Sequence, residues 1–123
     1  MANELVMSLH LRATLSSGQV LEITKSYTTI DVAGARGLDT VQSVGTSEEA
    51  IQLGDLAATG GYVYLENLDA TNFIGVRQGT GATDLIKLLA GDWCVFRIHG
   101  SSTAPFAIAD TAACNLRIVL LPL

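Results

Sequence analysis

The strongest indication of fold lies in the middle of the chain, in the stretch Gly61-Tyr-Val-Tyr-Leu-Glu-Asn-Leu-Asp-Ala-Thr-Asn-Phe-Ile-Gly-Val76. Tyr62 to Glu66 has the pattern of a strand, and Phe73 to Val76 has the pattern of a strand that returns. Between them, the Asn and Asp residues of Asn67 to Asn72 can hydrogen-bond to their own backbone and tolerate left-handed conformations. The stretch therefore predicts a β-hairpin with a tight polar turn.

The N-terminal region also has strand periodicity. Apolar residues alternate with polar ones from Leu5 to Leu15, and Ser8, His10, Arg12 and Thr14 fall on the polar face. A period of two over this length predicts a half-buried strand. After the turn at residues 16–18, the β-branched stretch from Gln19 to Val32 predicts a second, longer strand.

Turn signals recur about every ten residues along the rest of the chain, with no convincing helix between them, as in antiparallel sandwiches and barrels. Ser47 to Leu53 allows either a capped helical turn or a strand over Ala50 to Leu53, and the extended alternative is favoured because Gly54 follows too soon. The sequence predicts an all-β protein: a single antiparallel β-sandwich, jelly-roll-like, of about eight strands, with residues 1–123 as one domain. Further strands are predicted at Thr40 to Val44, Asp84 to Leu89, Asp92 to His99, Pro105 to Ala109 and Asn115 to Leu121.

The charge content indicates a subunit with partners. Of the 123 residues, 15% are charged, against about 25% in a typical globular protein. Some of the exterior must then be apolar or neutral, which favours association with other chains. The net charge is −5 and the seven cations stand singly, whereas binding to a phosphate backbone needs clustered cations. Nucleic acid is therefore not an expected partner.

Cys94 and Cys114 are the two cysteines, and both lie in apolar stretches. Free cysteine in such a setting behaves as a small buried hydrophobe, although one disulfide between them stays open as an alternative. The chain shows no cationic, apolar leader and no apolar run long enough to span a bilayer. We therefore expect synthesis and folding in a reducing cytoplasm and no membrane partner.

Patterns that bind phosphate or metal, or that supply a nucleophile, are weak. Gly79 to Asp84 is glycine-rich but lacks the Lys-Ser/Thr pair of a phosphate loop. His10 and His99 have no metal-ligand spacing, and neither Ser101 nor Ser102 beside His99 occupies a nucleophile elbow. The sequence thus predicts no catalytic residue, no cofactor-binding residue and no metal ligand.

Two binding alternatives remain open. Asn67, Asp69 and Asn72, with Glu66 nearby, can present oxygens to calcium, but Asx turns explain the same residues. A carbohydrate-stacking platform is the second alternative, although core packing is the expected role of Trp93. The aromatic residues of that platform would be Tyr62, Tyr64, Phe73 and Trp93.

The central and C-terminal portion, roughly Glu48 to Leu120, resembles small structural proteins of tailed bacteriophages. The resemblance rests on the phrase from Gly61 to Asn72, on Ile51-Gln-Leu-Gly-Asp55 before it and on Leu88-Leu-Ala-Gly-Asp92 after it. It implies a virion component built as a small β-sandwich, without enzymatic residues or cofactors. The first strands, Glu4 to Val32, lie outside the resemblance.

Together these observations predict a homo-oligomeric capsid decoration or cement protein, bound to the major capsid protein as a dimer or trimer. A tail or baseplate protein and a carbohydrate-binding module are the alternatives. If one segment carries the contact with the particle, we expect it to be the N-terminal strand, Leu5 to Leu15.

Overall fold

The computed structural model describes residues 5–30, 37–54, 60–100 and 105–122. These residues form antiparallel sheets and contain no α-helix. Ten strands are present: β1 (Leu5–Thr14), β2 (Val20–Ile30), β3 (Leu38–Val44), β4 (Glu49–Ala50), β5 (Gly61–Asn67), β6 (Ile74–Arg77), β7 (Ile86–Leu88), β8 (Trp93–Ile98), β9 (Phe106–Ala109) and β10 (Cys114–Pro122).

The strands belong to two compact units, Met1–Ala33 and Gly34–Leu123. The first unit is a two-stranded antiparallel hairpin of β1 and β2, with Thr14 opposite Val20 at its closed end. Its turn is held by a hydrogen bond from the Leu15 amide to the Gln19 carbonyl at 2.8 Å. Gly18 has a φ of 88° there, a conformation that glycine adopts without the steric cost a Cβ would bring.

The second unit is a β-sandwich of two four-stranded antiparallel sheets. The first sheet has the strand order β3-β10-β5-β8, and the second has the order β4-β9-β6-β7. Successive strands of this unit lie in different sheets, except for β6 and β7, which pair with each other. The all-β antiparallel sandwich that the sequence predicts is therefore confirmed.

The core of this sandwich is apolar and comes from both sheets. The alternation along β10 places Leu116, Ile118 and Leu120 inside, where they are almost fully buried, and Ile74 and Val76 of β6 are buried with them. This cluster lies within the second unit, while Leu5 of the first unit is buried outside it, at 8% exposure. The buried members of the cluster are Val44, Ile51, Leu53, Val63, Leu65, Ile74, Val76, Leu88, Ala107, Ala109, Cys114, Leu116, Ile118 and Leu120.

The hairpin predicted between Tyr62 and Val76 is wrong in its pairing, although both strands exist. β5 pairs with β10 and β8, whereas β6 pairs with β7 and β9. The polar segment between them is thus a corner that carries the chain from one sheet to the other. Its Asn and Asp residues do make the local turns that the sequence predicts, but a turn alone does not determine whether the flanking strands pair.

Other local predictions fare better. The extended alternative for Ala50 to Leu53 is favoured by the structure, since β4 is a short strand and Ile51 enters the core. The strands predicted around residues 40–44, 84–89, 92–99, 105–109 and 115–121 all exist, with ends shifted by at most two residues.

Candidate functional site

The outer face of the first sheet presents an aromatic surface. Tyr64 of β5 and Trp93 of β8 are diagonal neighbours on this face, with ring centroids 6.0 Å apart and planes inclined by 29°. Trp93 is 59% exposed, so the prediction that it packs in the core is wrong. The physical reason is the alternation along β8, which turns Cys94, Phe96 and Ile98 inward and Trp93 outward.

Polar groups surround this aromatic pair. The Tyr64 hydroxyl donates a hydrogen bond of 2.8 Å to the Glu66 carboxylate, and burial, followed by the Glu66 carboxylate, raises the pKa of Tyr64. On the neighbouring strand, the Arg117 guanidinium donates to both oxygens of Asp39, at 3.1 and 2.9 Å. Aromatic rings bordered by hydrogen-bonding groups are suited to stacking against sugars or to the centre of a protein interface.

Of the two remaining aromatic residues of the predicted platform, one lies on this face and the other lies next to the second sheet. Tyr62 lies on the same face, with the Arg97 guanidinium 5.8 Å from its ring centroid. Phe73 precedes β6 of the second sheet, and the Lys87 ammonium lies 4.4 Å from its ring centroid. Three of the four predicted residues therefore share one surface.

A half-buried ion network fastens the glycine-rich segment at residues 79–84. Arg77 donates at 2.8 Å to Glu48 and at 2.7 Å to Asp84, and the Gly81 amide donates to the Glu48 carboxylate. The Gly81 hydrogen bond, followed by Arg77, lowers the pKa of Glu48 although burial opposes them. Since a carboxylate already accepts from the amide that a phosphate would need, this segment is a turn and not a phosphate loop.

The candidate calcium residues form an Asx turn. The Asp69 carboxylate accepts hydrogen bonds from the Asn72 amide at 2.6 Å and the Thr71 amide at 2.9 Å, and these bonds lower its pKa. The Asn67 side-chain oxygen accepts from the Asp69 amide at 2.9 Å. The oxygens are thus engaged by the backbone, as the Asx-turn interpretation expects.

The histidines and cysteines show no assembled site in the described part of the chain. His10 lies on the polar face of β1, as predicted, with its Nε2 2.7 Å from the Glu22 carboxylate. Cys94 and Cys114 are free thiols, half-buried and buried, and burial raises the pKa of both. No group of three or more potential metal ligands occurs among the described residues, and Ser101 and Ser102 lie outside them.

An apolar cleft opens along one side of the sandwich, next to the edge strands β7 and β8. It has a volume of about 380 Å³ and is lined by Val76, Ile86, Phe96 and Ile98, with Arg97 and His99 also contributing. This volume is at the low end of sites that bind small molecules. Its apolar walls suit an apolar group.

The hairpin of the first unit exposes most of its apolar side chains. Leu11 is 57% exposed and Ile23, directly opposite it, is 48% exposed. The prediction that the first strand is half-buried is therefore wrong for the isolated chain, while the strand itself is confirmed. The apolar face contributed by β2 was missed, although Leu21, Ile23 and Tyr27 recur at even spacing in the sequence.

Comparison of the chain with protein-family models, curated proteins and solved structures gives no match in any of the three. The described residues also include no helix with the length and apolar character that crossing a bilayer requires. The resemblance to phage structural proteins accordingly stays a prediction that rests on the quoted motifs alone.

Proposed function

We propose that this chain is a bacteriophage virion structural protein, and specifically a capsid decoration or cement protein that binds the outside of the shell as a homo-oligomer. Its partners are the major capsid protein and other copies of itself, and it acts in the virion after synthesis in the host cytoplasm. This role needs no catalytic residue, cofactor or metal. A tail or baseplate protein is the alternative within the particle.

The observation that carries the proposal is the hairpin of β1 and β2. It belongs to a different compact unit from the sandwich, and among the hairpin side chains that the structure describes Leu5, at one end of β1, is the only buried one. Two strands with an exposed apolar face are only marginally stable in water. Such an element is expected in a protein that works in an assembly, where another surface covers that face.

The strand order of the sandwich supports the jelly-roll connectivity expected for such proteins. A jelly roll has eight strands in two four-stranded antiparallel sheets, and Gly34–Leu123 has eight strands in that arrangement. The chain changes sheet at every connection except the one between β6 and β7.

The proposed mechanism is mechanical. A subunit that contacts several shell proteins opposes the outward pressure of the packaged genome through the free energy of those contacts. Each contact can be weak, because a bound oligomer makes its further contacts intramolecularly and at high effective concentration. The exposed aromatic face around Trp93 and Tyr64 is a second surface for such contacts.

The decisive test is the number of copies of this chain per purified particle, measured by quantitative mass spectrometry against the major shell protein. A number comparable to that of the shell protein is expected for decoration. A few to a few dozen copies would place the chain in the tail, and absence from the particle would refute a virion role.

A carbohydrate-binding module is the second candidate, and the exposure of Trp93 favours it. An exposed indole beside Tyr64, with Glu66 and Arg117 nearby, has the stacking and hydrogen-bonding groups that sugars need. This candidate predicts saturable binding on a glycan array that is lost in Trp93→Ala. Val95→Ala, on the same strand face, is the control and should retain binding.

A further inference from the structure

The two faces of the β1–β2 hairpin differ sharply in chemistry. Residues directly opposite each other in an antiparallel pair project from the same side. One side therefore combines Met7 with Tyr27, Leu11 with Ile23 and Ala13 with Leu21, while the other combines Ser8 with Ser26 and Arg12 with Glu22. The hairpin is an amphipathic ribbon with one mainly apolar side and one mainly polar side, the latter including Val20 opposite Thr14.

The polar face has its own interactions. Glu22 accepts from His10 at 2.7 Å and lies 3.8 Å from Arg12, and these three side chains are about half exposed to water. Burying this face would remove its charged side chains from water. The desolvation free energy is unfavourable unless new hydrogen-bonding or ionic partners take the place of the water. The partner of the hairpin therefore covers the apolar face.

The apolar face has the size of a small interface. Five of its large side chains, Leu9, Leu11, Leu21, Ile23 and Tyr27, are each between 44% and 57% exposed. Their exposed surface comes to roughly 450 Å² per hairpin, which lies within the range of the largest apolar patch on a typical monomer. Two such faces in contact would bury on the order of 900 Å², more than most crystal contacts and less than a standard stable complex.

We propose that the apolar face of the hairpin packs against the same face of a second copy of this chain, so that two hairpins form a four-stranded two-layer element. This inference rests on the proposed function in one respect, because that function already calls for an oligomer. A second copy fits because an isologous contact requires a self-complementary patch, and every position on this face from Met7 to Leu21 is apolar except Lys25 and partly polar Tyr27.

The one charge on this face is compatible with self-association. Lys25 lies opposite Leu9, and its aliphatic stem can cover apolar surface while its ammonium extends past the edge into water. No carboxylate lies on this face between residues 7 and 27. Recognition of an acidic partner surface would need several lysines on this face, and it carries one. A second apolar face is therefore the better partner.

The test is the molar mass of the purified full-length chain, measured by sedimentation equilibrium from about 1 to 300 μM, a range that covers dissociation constants from about micromolar to sub-millimolar. We expect a concentration-dependent shift from 12.9 kDa to twice that mass. Leu11→Glu combined with Ile23→Glu places two like charges opposite each other on the apolar face, and we expect it to weaken association at least about 100-fold. Ser8→Glu combined with Ser26→Glu adds the same charges at paired positions on the polar face, and should change association by less than about threefold.

A chemical cross-link provides a second measurement that does not depend on the charged variant forming its hairpin. Leu11→Cys and Ser8→Cys are compared with the unmodified chain, using a thiol-reactive linker about 10 Å long, the separation of two packed sheets. Leu11→Cys should give a covalent dimer and Ser8→Cys should not. The unmodified chain measures the background from Cys94 and Cys114.

A chain that stays monomeric at the highest concentration would overturn the proposal, and so would a dimer that persists in the Leu11→Glu and Ile23→Glu variant. Equal cross-linking at positions 8 and 11 would also overturn it. These measurements contain no particles, so a monomer refutes the self-contact only. The particle role is refuted separately, by the copy number.

Discussion

Asn67 joins three segments of the sandwich through one buried amide. Its Nδ2 donates to the carbonyl oxygens of Asn72, Leu88 and Leu89 at 2.8, 3.0 and 3.2 Å, while its Oδ1 accepts from the Asp69 amide. The residue is completely buried, so water has little access to take over the hydrogen bonds that its side chain makes to these backbone groups. The amide therefore holds the corner at which the chain passes from β5 to the second sheet.

Replacing Asn67 by Ala should destabilise the sandwich by about 2–4 kcal/mol, because buried carbonyl groups lose their donor and a cavity opens. Thermal unfolding followed by circular dichroism measures the loss. Asn115→Ala is the matched control, since this side chain is exposed on β10, and it should change stability by less than about 0.5 kcal/mol. Equal effects of the two substitutions would show that the corner does not depend on the Asn67 amide.

Glu48 predicts a pH dependence of stability. Its folded pKa lies below the ordinary value of 4.5, mainly because the Gly81 amide, and then Arg77, stabilise the carboxylate. The native state then binds fewer protons than the unfolded state, so this contribution is complete at pH well above 4.5 and is lost as the pH falls through the lowered pKa.

The measurement that isolates this contribution is the melting temperature of the unmodified chain and of Glu48→Gln from pH 7 to pH 2.5. At pH 7 the Gln variant should melt at a lower temperature, because it cannot accept from Arg77 and Gly81 as a carboxylate. The difference should shrink as the pH falls below 4.5. A difference that is constant over the whole range would contradict the assignment.

At the scale of elements, the sandwich and the hairpin should be separable. The buried cluster that forms the core of the sandwich comes from Gly34–Leu123, and Leu5 is the one buried side chain described in the hairpin. Deletion of residues 1–33 is therefore expected to leave the melting temperature of the sandwich within a few degrees of that of the full chain, while attachment to the particle is lost. Deletion of residues 1–15 alone is a less clean test, because it leaves the apolar side chains of β2 without their paired strand.

The deletion is checked by circular dichroism and by co-sedimentation with shells that lack this protein. Cooperative unfolding with retained antiparallel β signal is the expected result for residues 34–123. Loss of cooperative unfolding would show that the hairpin contributes to the core, and retained attachment would show that another surface makes the contact.

The elements also show how far the sequence predicts this structure. Alternation and turn spacing locate nearly all strands, because these signals depend on neighbouring residues. Pairing is not local: β5 and β6 are joined by a tight turn and nevertheless lie in different sheets. Face assignment failed at Trp93 because Trp93-Cys-Val-Phe is apolar on both sides, so periodicity does not indicate which side is buried.

For the candidate surfaces too, the sequence indicates features that depend on neighbouring residues but not those that depend on strand pairing. The aromatic composition of the outer face was visible in the sequence, whereas its assembly from β5 and β8 depends on their register. The network of Glu48, Arg77 and Asp84 joins residues up to 36 positions apart, and no local sequence motif predicts such a contact. The apolar face of the hairpin needed the pairing of β1 with β2 before its extent could be recognised.

On the scale of the whole molecule, one quantity tests the particle role and the hairpin self-contact together. It is the concentration of protein at which bare shells are half occupied. An oligomer that binds with two subunits gains an effective-concentration advantage of about 10²–10⁴ over a single subunit when the geometry permits both contacts. The Leu11→Glu and Ile23→Glu variant should therefore need at least about tenfold more protein for half occupancy. The Ser8→Glu and Ser26→Glu variant should bind as the unmodified chain does.

Occupancy is measured by co-sedimentation, and shell stability by the temperature at which the packaged DNA becomes accessible to a dye. That temperature should rise in proportion to occupancy for the unmodified chain, because each bound subunit adds contacts that must break before the shell opens. Equal half-occupancy of the two variants would show that pairing of hairpins is not needed for attachment. Full occupancy without a rise in the release temperature would remove the cement role and leave a protein that only covers the shell.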